Sequence, residues 1–381
     1  MVTGIRRCGK SSLLRMYREH LLSEGIEADH IQDINFENLD NEPLLDYRAL
    51  YAHVKSRLCH DKMNYLFFDE IQMVEGFQRV VDSLFLLVNV DIYITGSNAY
   101  LLSGEIATLL TGRYVEIRLF PFSFSEYITG LPSGINIETA YREYIEYGAF
   151  PYILQIKDDK EMASEYLSGL YSTIVLKDVV SRKKITDVMM LQSIVRFLAD
   201  NIGNISVIKR ISDTMTSLGR KITSHTVENY VTALLDSFIF YSVPRYDAKG
   251  KQLLKTGQKI YLADTGLRNI INGTKGGDLG HILENVVYLE LARRGYEIYA
   301  GKMGDAEIDF ITLRQGQKCY YQVSLSVRDE TTLKRELAPL ESLTDNFPKY
   351  LLSLDNDPVV YHNGIKQMYA LDWLLEKGQA I

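Results

Sequence analysis

A glycine-rich stretch near the start of the sequence has the residue types and the spacing that bind a phosphate chain. Residues 4–12 fit the pattern G-x-x-x-x-G-K-[ST] at every required position. Glycine allows the backbone N–H groups of such a loop to point inward, and a helix N-terminus behind the loop adds positive potential. We expect Lys10 to reach the β- and γ-phosphates of ATP and the Ser11 hydroxyl to ligate Mg²⁺. The predicted nucleotide-binding residues are Gly4, Gly9, Lys10, Ser11 and Ser12; the alternative is a glycine-bounded turn before an amphipathic helix.

Two adjacent carboxylates follow a buried strand later in the sequence. The run from Asn64 to Phe68 is mostly apolar and aromatic, as expected for a strand buried on both faces, and it ends at Asp69 and Glu70. Ligands of an open α/β sheet bind at the carboxyl ends of its strands. We therefore expect Asp69 to hold Mg²⁺ through water and Glu70 to orient and deprotonate the attacking water. The alternative is an acidic pair that caps a strand before a turn.

Two further positions are candidates for contact with the transferred phosphate. Residues 91–98 form another β-rich run that ends in Ser97 and Asn98, either of which can sense the γ-phosphate. Arg113 lies just before an alternating run, where ATPases completed by a neighbouring subunit place an arginine that neutralises charge on the phosphate. An ordinary ion pair with a surface carboxylate is the alternative role for Arg113. The predicted catalytic residues are therefore Glu70, Asn98 and Arg113.

Helix-like and strand-like patterns alternate through the first predicted domain, residues 1–130. Apolar residues have helical spacing over 11–23, 47–58, 77–87 and 100–110, with strand-like runs between them. This alternation predicts an α/β fold with the parallel sheet of a P-loop NTPase. The strand before the phosphate loop is reduced to Met1, Val2 and Thr3, whereas a strand usually has about five to six residues. We therefore expect residues upstream of Met1 in the gene product, and a shortened strand can leave the nucleotide site defective.

The composition is that of an ordinary globular protein. Hydrophobic residues make up 46% of the 381 residues and charged residues 24%, enough for a large core in two or three domains. No run approaches the ~18 to 20 apolar residues of a membrane span, and no apolar core follows the charged N-terminus as in a secretory signal. Cys8, Cys59 and Cys319 are scattered without metal-binding spacing. These observations favour a reducing cytoplasm and exclude the membrane from the predicted partners.

Charge is distributed unevenly along the chain. Between Ile205 and Ile260 there are nine Lys and Arg residues and four Asp and Glu residues, a balance of +5, whereas the whole chain carries −7. An acidic protein can therefore still present a basic surface to nucleic acid. Residues 123–178 are by contrast rich in Tyr and Glu, and we predict a helical lid and connector over residues 131–200.

Residues 201–271 have the pattern of a winged helix. A helix, a turn and a second helix with Ser224 as its N-cap are followed by two strand-like runs around a basic loop at 245–258, the wing. The residues expected to contact DNA are Lys221, His225 and Asn229 in a groove, with Lys249, Lys251 and Lys255 at phosphates. Winged helices also dock proteins, so a protein partner is the alternative.

The last predicted domain, residues 278–381, follows a loop with four glycines at 272–280. A helix carrying Glu284 and three strands suggest a restriction-endonuclease-like α/β core, which needs Asp on one strand and Glu-x-Lys on the next to hold a metal and steer water. Asp309 is present, but Gln322-Val323-Ser324 stands where Glu-x-Lys is required. Because glutamine lacks the charge for tight Mg²⁺ binding and serine cannot replace lysine, we expect the fold without nuclease activity.

Several of these motifs together resemble a known family. They are residues 4–11, 68–72, 96–98, 110–114 and 121–127 in the first part of the chain, and 261–268, 283–285 and 309–310 in the last part. The chain resembles the prokaryotic AAA-type ATPases of unknown function, whose C-terminal half is an uncharacterised domain. The resemblance extends over nearly the whole chain and implies ATP binding, a winged-helix middle and a nuclease-like end. It implies no biological role.

The leading hypothesis is a cytoplasmic, Mg²⁺-dependent ATPase, oligomeric, in which nucleotide state positions a C-terminal half that binds DNA or a protein. A first alternative is an interaction module that does not hydrolyse ATP because its nucleotide site is defective. A second alternative is a metal-dependent nuclease that acts at Asp309. The sequence identifies neither the partner nor a preferred DNA sequence.

Overall fold

The computed structural model describes residues 1–99, 113–181, 183–273 and 278–376. The helix predicted over residues 100–110, residues 274–277 of the loop at 272–280 and Arg182 lie outside these residues. The chain divides into two compact units, the first of Met1–Leu119 with Asp236–Phe238 and the second of Phe120–Leu235 with Ile239–Ile381. The first unit therefore contains the predicted nucleotide site, and the second contains the predicted nucleic-acid and nuclease-like residues.

The first unit is built on a five-stranded parallel sheet. In chain order the strands are β1 (Val2–Gly4), β2 (Ile31–Asn35), β3 (Asn64–Asp69), β4 (Val90–Gly96) and β5 (Ile117–Leu119). Their order across the sheet is β2-β3-β4-β1-β5, and every neighbouring pair is parallel. Although β1 has only three residues, it pairs on both sides, with Val2 opposite Thr95 and Ile117. The predicted parallel α/β sheet is confirmed, and the short β1 lies at an interior position in it.

Helices pack apolar side chains against both faces of this sheet. They are α1 (Lys10–Ser23), α2 (Tyr47–Lys55) and α3 (Phe77–Phe85), with 3₁₀ turns at Ala28–His30, Leu39–Leu45 and Ile71–Met73. In β3, Phe68 belongs to an apolar cluster with residues of α2 and α3, whereas Phe67 belongs to another cluster with Leu14 of α1. Successive residues of a strand point to opposite faces of the sheet. β3 is therefore buried on both faces, as its apolar run predicted.

The second unit begins with helices. They are α4 (Phe124–Thr129), α5 (Ile137–Tyr147), α6 (Ile153–Ile156), α7 (Lys160–Thr173), which continues into a π-helix at Ile174–Ser181, and α8 (Val188–Asp200). α4 begins at a capping box, because Ser123 Oγ accepts from the Glu126 N–H at 3.0 Å and the Glu126 carboxylate accepts from the Ser123 N–H at 2.7 Å. The segment predicted as a lid and connector is helical, and its role as a lid stays a prediction.

A helix pair and a hairpin follow in the second unit. In chain order they are β6 (Ile205–Ser206), α9 (Ile208–Ser217), α10 (Ser224–Asp236), β7 (Phe240–Asp247), β8 (Gln252–Leu262) and α11 (Thr265–Asn272). The predicted N-cap of α10 was wrong by one residue. Ser224 is already helical, and it is Thr223 Oγ1 that accepts from the Thr226 N–H, at 3.1 Å. The order of these elements agrees with a winged helix, an assignment that stays a prediction.

The C-terminal elements share one nine-stranded mixed sheet with this hairpin. They are α12 (Leu279–Arg293), β9 (Glu297–Met303), β10 (Ala306–Arg314), β11 (Gln317–Ser324), α13 (Glu330–Glu341), β12 (Lys349–Ser353), β13 (Val360–His362), β14 (Ile365–Tyr369) and α14 (Ala370–Leu374). The strand order is β13-β14-β12-β11-β10-β9-β7-β8-β6. β7 runs parallel to β9, with Arg245 opposite Ala300, so strand pairing crosses the predicted boundary between residues 201–271 and 278–381. Among the described helices, none combines the length and the apolar character needed to cross a membrane.

Candidate functional site

The glycine-rich loop connects the carboxyl end of β1 to the start of α1. Gly4 has a φ of 145° and Gly9 a φ of 109°, in the backbone region that favours glycine. A Cβ atom on Gly4 would lie 2.2 Å from the Leu119 carbonyl oxygen, so a side chain does not fit there. α1 follows Gly9 directly, and the Leu13 N–H donates to the Gly9 carbonyl at 2.9 Å. The backbone N–H groups of its first turn therefore point toward the loop, where they can bind an anion.

Lys10, the first residue of α1, is buried within the loop. Its ammonium donates to the carbonyl oxygens of Gly4 at 3.0 Å and Ile5 at 3.2 Å. Glu70 Oε1 lies 3.9 Å from the same nitrogen. A hydrogen bond from an ammonium to an anionic oxygen is stronger than one to a neutral carbonyl. Phosphate oxygens can therefore replace the two carbonyls as the partners of Lys10.

Asp69 ends β3 with both carboxylate oxygens oriented by the neighbouring strands. Thr95 on β4 donates its hydroxyl to Oδ1, and Asn35 at the end of β2 donates from Nδ2 to Oδ2 at 3.0 Å. Neither residue was predicted from the sequence, although Asn35 ends a parallel strand as Asp69 does, and Thr95 interrupts an apolar strand. The two contacts hold the carboxylate at the edge of the sheet where a ligand is expected.

Glu70 turns the chain sharply after β3. Its φ of 57° is left-handed, which is uncommon for a residue other than glycine and costs about 1 to 3 kcal/mol. The Glu70 N–H donates to Thr95 Oγ1 at 2.9 Å, and the carboxylate accepts from Ser97 Oγ at 3.0 Å and from Gln72 Nε2. This backbone conformation brings Glu70 next to Lys10 and Ser97, as its predicted role in hydrolysis requires.

An open cleft of about 230 Å³ is lined by α1 and by the carboxyl ends of β2 and β3. Its walls include Ser11 and Asp69, the two predicted Mg²⁺ ligands, together with Asn35 and Arg15. Hydroxyl and carboxylate oxygens are the hard ligands that Mg²⁺ prefers, so this pair of donors fits the ion. Arg15, on α1, was not predicted, and it places a guanidinium on the same wall. The cleft therefore combines donors for a cation with a cationic side chain that can face an anion.

The remaining predicted catalytic residues differ in exposure. Asn98 is buried and follows Ser97 directly. The Arg113 side chain is 46% exposed, and its Nη1 donates to Asp82 Oδ1 on α3 at 2.9 Å. Its guanidinium also lies 5.8 Å from the centre of the Phe85 ring. Arg113 thus makes the surface ion pair that was its alternative interpretation, and action in a neighbouring site stays a prediction.

The predicted nucleic-acid contacts are exposed residues of the second unit. Lys221 precedes α10, His225 and Asn229 lie one turn apart on α10, and Lys249 and Lys251 lie between β7 and β8. Asn229 Nδ2 is 3.4 Å from His225 Nε2, so these two side chains share one helix face. The side chain of Lys255 lies outside the part of the chain that the structure describes. Contact with DNA stays a prediction.

The three nuclease-like residues converge in the second unit. Glu284 on α12, Asp309 on β10 and Gln322 on β11 are all buried, and Gln322 Oε1 accepts from the Asp309 N–H at 3.3 Å. Lys259 of β8 reaches the same place, with its ammonium 2.8 Å from Glu284 Oε1. Lys259 was not predicted as a site residue, although it directly precedes the apolar residues 260–262 of its strand.

Comparisons with known proteins match two segments of the chain and two uncharacterised proteins. Residues 1–128 match an AAA domain, and residues 138–278 match a domain of unknown function. An uncharacterised protein of Haemophilus influenzae is 38% identical over 380 residues, covering 99% of this chain and 94% of that protein. An uncharacterised protein of Methanocaldococcus jannaschii is 29% identical, covering 93% and 80%. Among solved structures, the Walker-type ATPase of Pyrococcus abyssi is similar with a TM-score of 0.49 and 16% identity over 71% of this chain and 89% of that chain.

These matches agree with the geometry of the first unit. The AAA match extends over the phosphate loop, the acidic end of β3 and all five strands of the parallel sheet. The similarity to the Haemophilus influenzae protein extends over nearly the full length of both chains. The chain therefore belongs to the prokaryotic AAA-type P-loop ATPases, with a C-terminal region that is an uncharacterised domain.

Proposed function

We propose that the first unit binds ATP with Mg²⁺ and hydrolyses it, and that nucleotide state controls a C-terminal half that binds DNA or a protein. The observation that carries this proposal is that Lys10, Asp69 and Glu70 meet at the carboxyl edge of one parallel sheet. Glu70 lies 3.9 Å from the Lys10 ammonium, and Thr95 bonds to both Asp69 and Glu70. The match of residues 1–128 to an AAA domain supports the same reaction.

The phosphate chain binds at the loop and the first turn of α1, whose N–H groups receive its oxygens. Lys10 exchanges its contacts with the Gly4 and Ile5 carbonyls for contacts with phosphate oxygens. Ser11, and Asp69 through water, would hold Mg²⁺, which would supply positive charge against the transferred phosphate. Lys10 also moves away from Glu70 in this step. At a separation of 3.9 Å their ion pair is a long one, so little attraction opposes the movement toward the phosphates.

Glu70 acts as the general base. It orients a water molecule and accepts its proton as the water oxygen attacks the γ-phosphorus and the bond from the γ-phosphorus to the leaving ADP oxygen breaks. Ser97 and Gln72 hold the Glu70 carboxylate from the side of β4 and the following turn. Asn98, buried directly after Ser97, contacts the γ-phosphate.

Two substitutions separate nucleotide binding from hydrolysis. Saturation with Mg·ATP at 100 times its dissociation constant adds about 2.7 kcal/mol to the unfolding free energy of a competent protein. We expect Lys10→Ala to lose this stabilisation, and Glu70→Gln to keep it while phosphate release falls about 10² to 10⁴-fold. Thermal unfolding and a phosphate-release assay measure the two effects.

The exposed Lys62 of the same unit supplies a matched control, since Lys62→Ala removes a lysine from the surface. A Lys10→Ala protein that hydrolyses ATP at the wild-type rate would contradict the proposed site. A wild-type protein that shows neither stabilisation nor hydrolysis would favour the alternative, a non-hydrolysing interaction module.

DNA binding by the second unit is tested through its salt dependence. Lys221, Lys249 and Lys251 are exposed in a segment with a charge balance of +5, which supports phosphate contact. Each lost contact lowers the slope of log affinity against log salt by about 0.9. We expect Lys249→Ala with Lys251→Ala to weaken binding of duplex DNA, followed by fluorescence anisotropy, and Lys334→Ala on α13 to leave it unchanged. Absence of binding at low salt would leave a protein as the partner.

A further inference from the structure

Three ionisable side chains from three different elements meet inside the second unit. Lys259 of β8 places its ammonium 2.8 Å from Glu284 Oε1 and 3.0 Å from Asp309 Oδ1. The exposed fractions of the three side chains are 4% for Lys259, 8% for Glu284 and 12% for Asp309. Burial opposes the charge of Lys259, but the two carboxylates outweigh burial and raise the pKa of Lys259 above its ordinary value. The lysine is therefore charged and shared between two acids. We call this group the carboxylate cluster.

The other polar atoms around the carboxylate cluster are engaged as well. Tyr261 donates its hydroxyl to Glu284 Oε1 at 2.6 Å, and the Val323 N–H donates to Asp309 Oδ2 at 3.0 Å. The backbone at Gly203 packs closely against Glu284, since a Cβ atom on Gly203 would lie 2.9 Å from Glu284 Oε2. These contacts fix both carboxylates in the positions where they hold the ammonium.

Gln322 takes no part in holding a cation. Its Oε1 accepts from the Asp309 N–H at 3.3 Å, and its Nε2 donates to Glu336 Oε2 at 2.8 Å. Both ends of the amide are therefore used in hydrogen bonds. In a nuclease-like core a third carboxylate at this place would complete the ligands of a metal.

The carboxylate cluster does not fit a bound divalent cation. Mg²⁺ needs its oxygen ligands at about 2.0 to 2.1 Å, so an ion shared by Glu284 and Asp309 would have to take the space of the ammonium. A divalent ion would compete with the ammonium for the same carboxylate oxygens, and the two cations would repel each other at short distance. Glu284 and Asp309, which would hold a metal, are present, and the Lys259 ammonium already supplies their counter-charge.

We propose that the Lys259 ammonium occupies a divalent-cation site made by Glu284 and Asp309, and that this site binds a metal ion only when the ammonium is removed. Removal of the lysine takes the cation away from two buried carboxylates, with the half-exposed His281 still 3.8 Å from Glu284 Oε2, and loss of one partner of a buried ion pair strongly destabilises a protein. The same two oxygens then suit a hard cation such as Mn²⁺, Mg²⁺ or Ca²⁺. The inference concerns the second unit alone and does not depend on the proposed ATPase.

The test uses the full chain and Mn²⁺ as the probe, with Asp69→Asn in every protein to remove the cation ligand of the first unit. We expect the parent to bind no Mn²⁺ by electron paramagnetic resonance and to unfold at the same temperature with and without the ion. Lys259→Ala is expected to unfold at a lower temperature, to bind a single Mn²⁺ and to regain stability when Mn²⁺ is added. Lys334→Ala, which removes an exposed lysine of α13, should behave as the parent.

A second variant identifies where the ion binds. Adding Asp309→Asn to Lys259→Ala should abolish both Mn²⁺ binding and the regained stability. If Lys259→Ala folds only when Mn²⁺ is present, the ion replaces the lysine and the proposal holds. Failure to fold with and without Mn²⁺, folding without any response to Mn²⁺, or Mn²⁺ binding by the parent that Asp309→Asn removes would each overturn it.

Discussion

The two units each place a buried lysine next to buried carboxylates, but the lysines are held in different ways. Lys10, with its side chain 3% exposed, bonds to two neutral carbonyls and lies 3.9 Å from Glu70, and the next residue, Ser11, lines a cleft of about 230 Å³. Lys259 lies 2.8 and 3.0 Å from two carboxylate oxygens and is 4% exposed. An ammonium that is bound by weak partners near an open cleft can exchange these partners for the oxygens of a ligand. A cation enclosed between two anions is part of the core.

The largest expected effect is the loss of unfolding free energy when Lys259 is removed, compared with the loss when Lys10 is removed. Loss of one partner from a buried ion pair costs about 3 to 5 kcal/mol, so Lys259→Ala should lower the unfolding free energy by that amount. Lys10→Ala removes two hydrogen bonds to neutral carbonyls and one longer ion pair, 3.9 Å from Glu70, and should cost less, about 1 to 3 kcal/mol. Denaturant unfolding measures both. Equal losses for the two variants would show that the two lysines are held alike.

A control for this prediction removes all three charges of the carboxylate cluster. Replacing a buried ion pair by uncharged side chains of similar volume is often close to neutral. Lys259→Met combined with Glu284→Gln and Asp309→Asn should therefore recover most of the stability that Lys259→Ala loses. If the triple variant is as unstable as Lys259→Ala, packing rather than charge explains the loss.

The second prediction concerns the neutral groups that orient Asp69. Asn35→Ala removes the hydrogen bond to Oδ2 and leaves Thr95 as the single side-chain donor to this carboxylate among the described residues. A misplaced metal ligand should lower kcat for ATP hydrolysis roughly tenfold to a hundredfold. Steady-state phosphate release measures this, with Asn356→Ala in an exposed position of the second unit as the control. An unchanged kcat would indicate that Thr95 suffices.

Another buried carboxylate, Asp264, extends the comparison because its hydrogen bonds come from the backbone. Asp264 accepts from the Ala149 N–H at 2.7 Å and the Leu267 N–H at 3.1 Å, and burial raises the pKa of Asp264 to about 6 from 3.8. The folded protein therefore binds this proton more tightly than the unfolded chain does. The contribution to stability is present below the ordinary pKa and is lost as pH rises through about 6.

Asp264→Asn removes this titration. Between about pH 5 and pH 7 the wild-type protein should lose about 1 kcal/mol more unfolding free energy than the variant. Denaturant unfolding at several pH values gives the difference between the two slopes. Parallel curves for the two proteins would mean that Asp264 does not change its protonation in this range.

The smallest expected effect belongs to Arg113. Its ion pair with Asp82 is exposed, so Arg113→Ala should change the unfolding free energy by less than about 0.5 kcal/mol. A role in a neighbouring subunit's site is measured separately, by adding Arg113→Ala protein to Lys10→Ala protein and following hydrolysis. Activity in this mixture that neither variant has alone would assign the arginine to the neighbouring site.

The residues that meet at the proposed nucleotide site could be predicted because they belong to contiguous motifs. The phosphate loop spans residues 4–12, and Asp69 and Glu70 follow an apolar run that only a strand buried on both faces explains. Asn35 and Thr95 were not predicted, because their contact with Asp69 depends on β2 and β4 both being neighbours of β3. Residues far apart in sequence become partners only once the order of strands is known.

The sequence by itself determined the alternation of strands and helices in the first unit, the phosphate loop and the loss of the Glu-x-Lys motif at Gln322, because each depends on local spacing and residue type. Only the tertiary structure decided what neutralises Glu284 and Asp309. Lys259 is 25 residues from Glu284 and 50 from Asp309, and β7 and β9 lie between β8 and β10 in the strand order. No local pattern and no strand pairing predicts this contact, since it forms only when a long side chain reaches across the folded sheet.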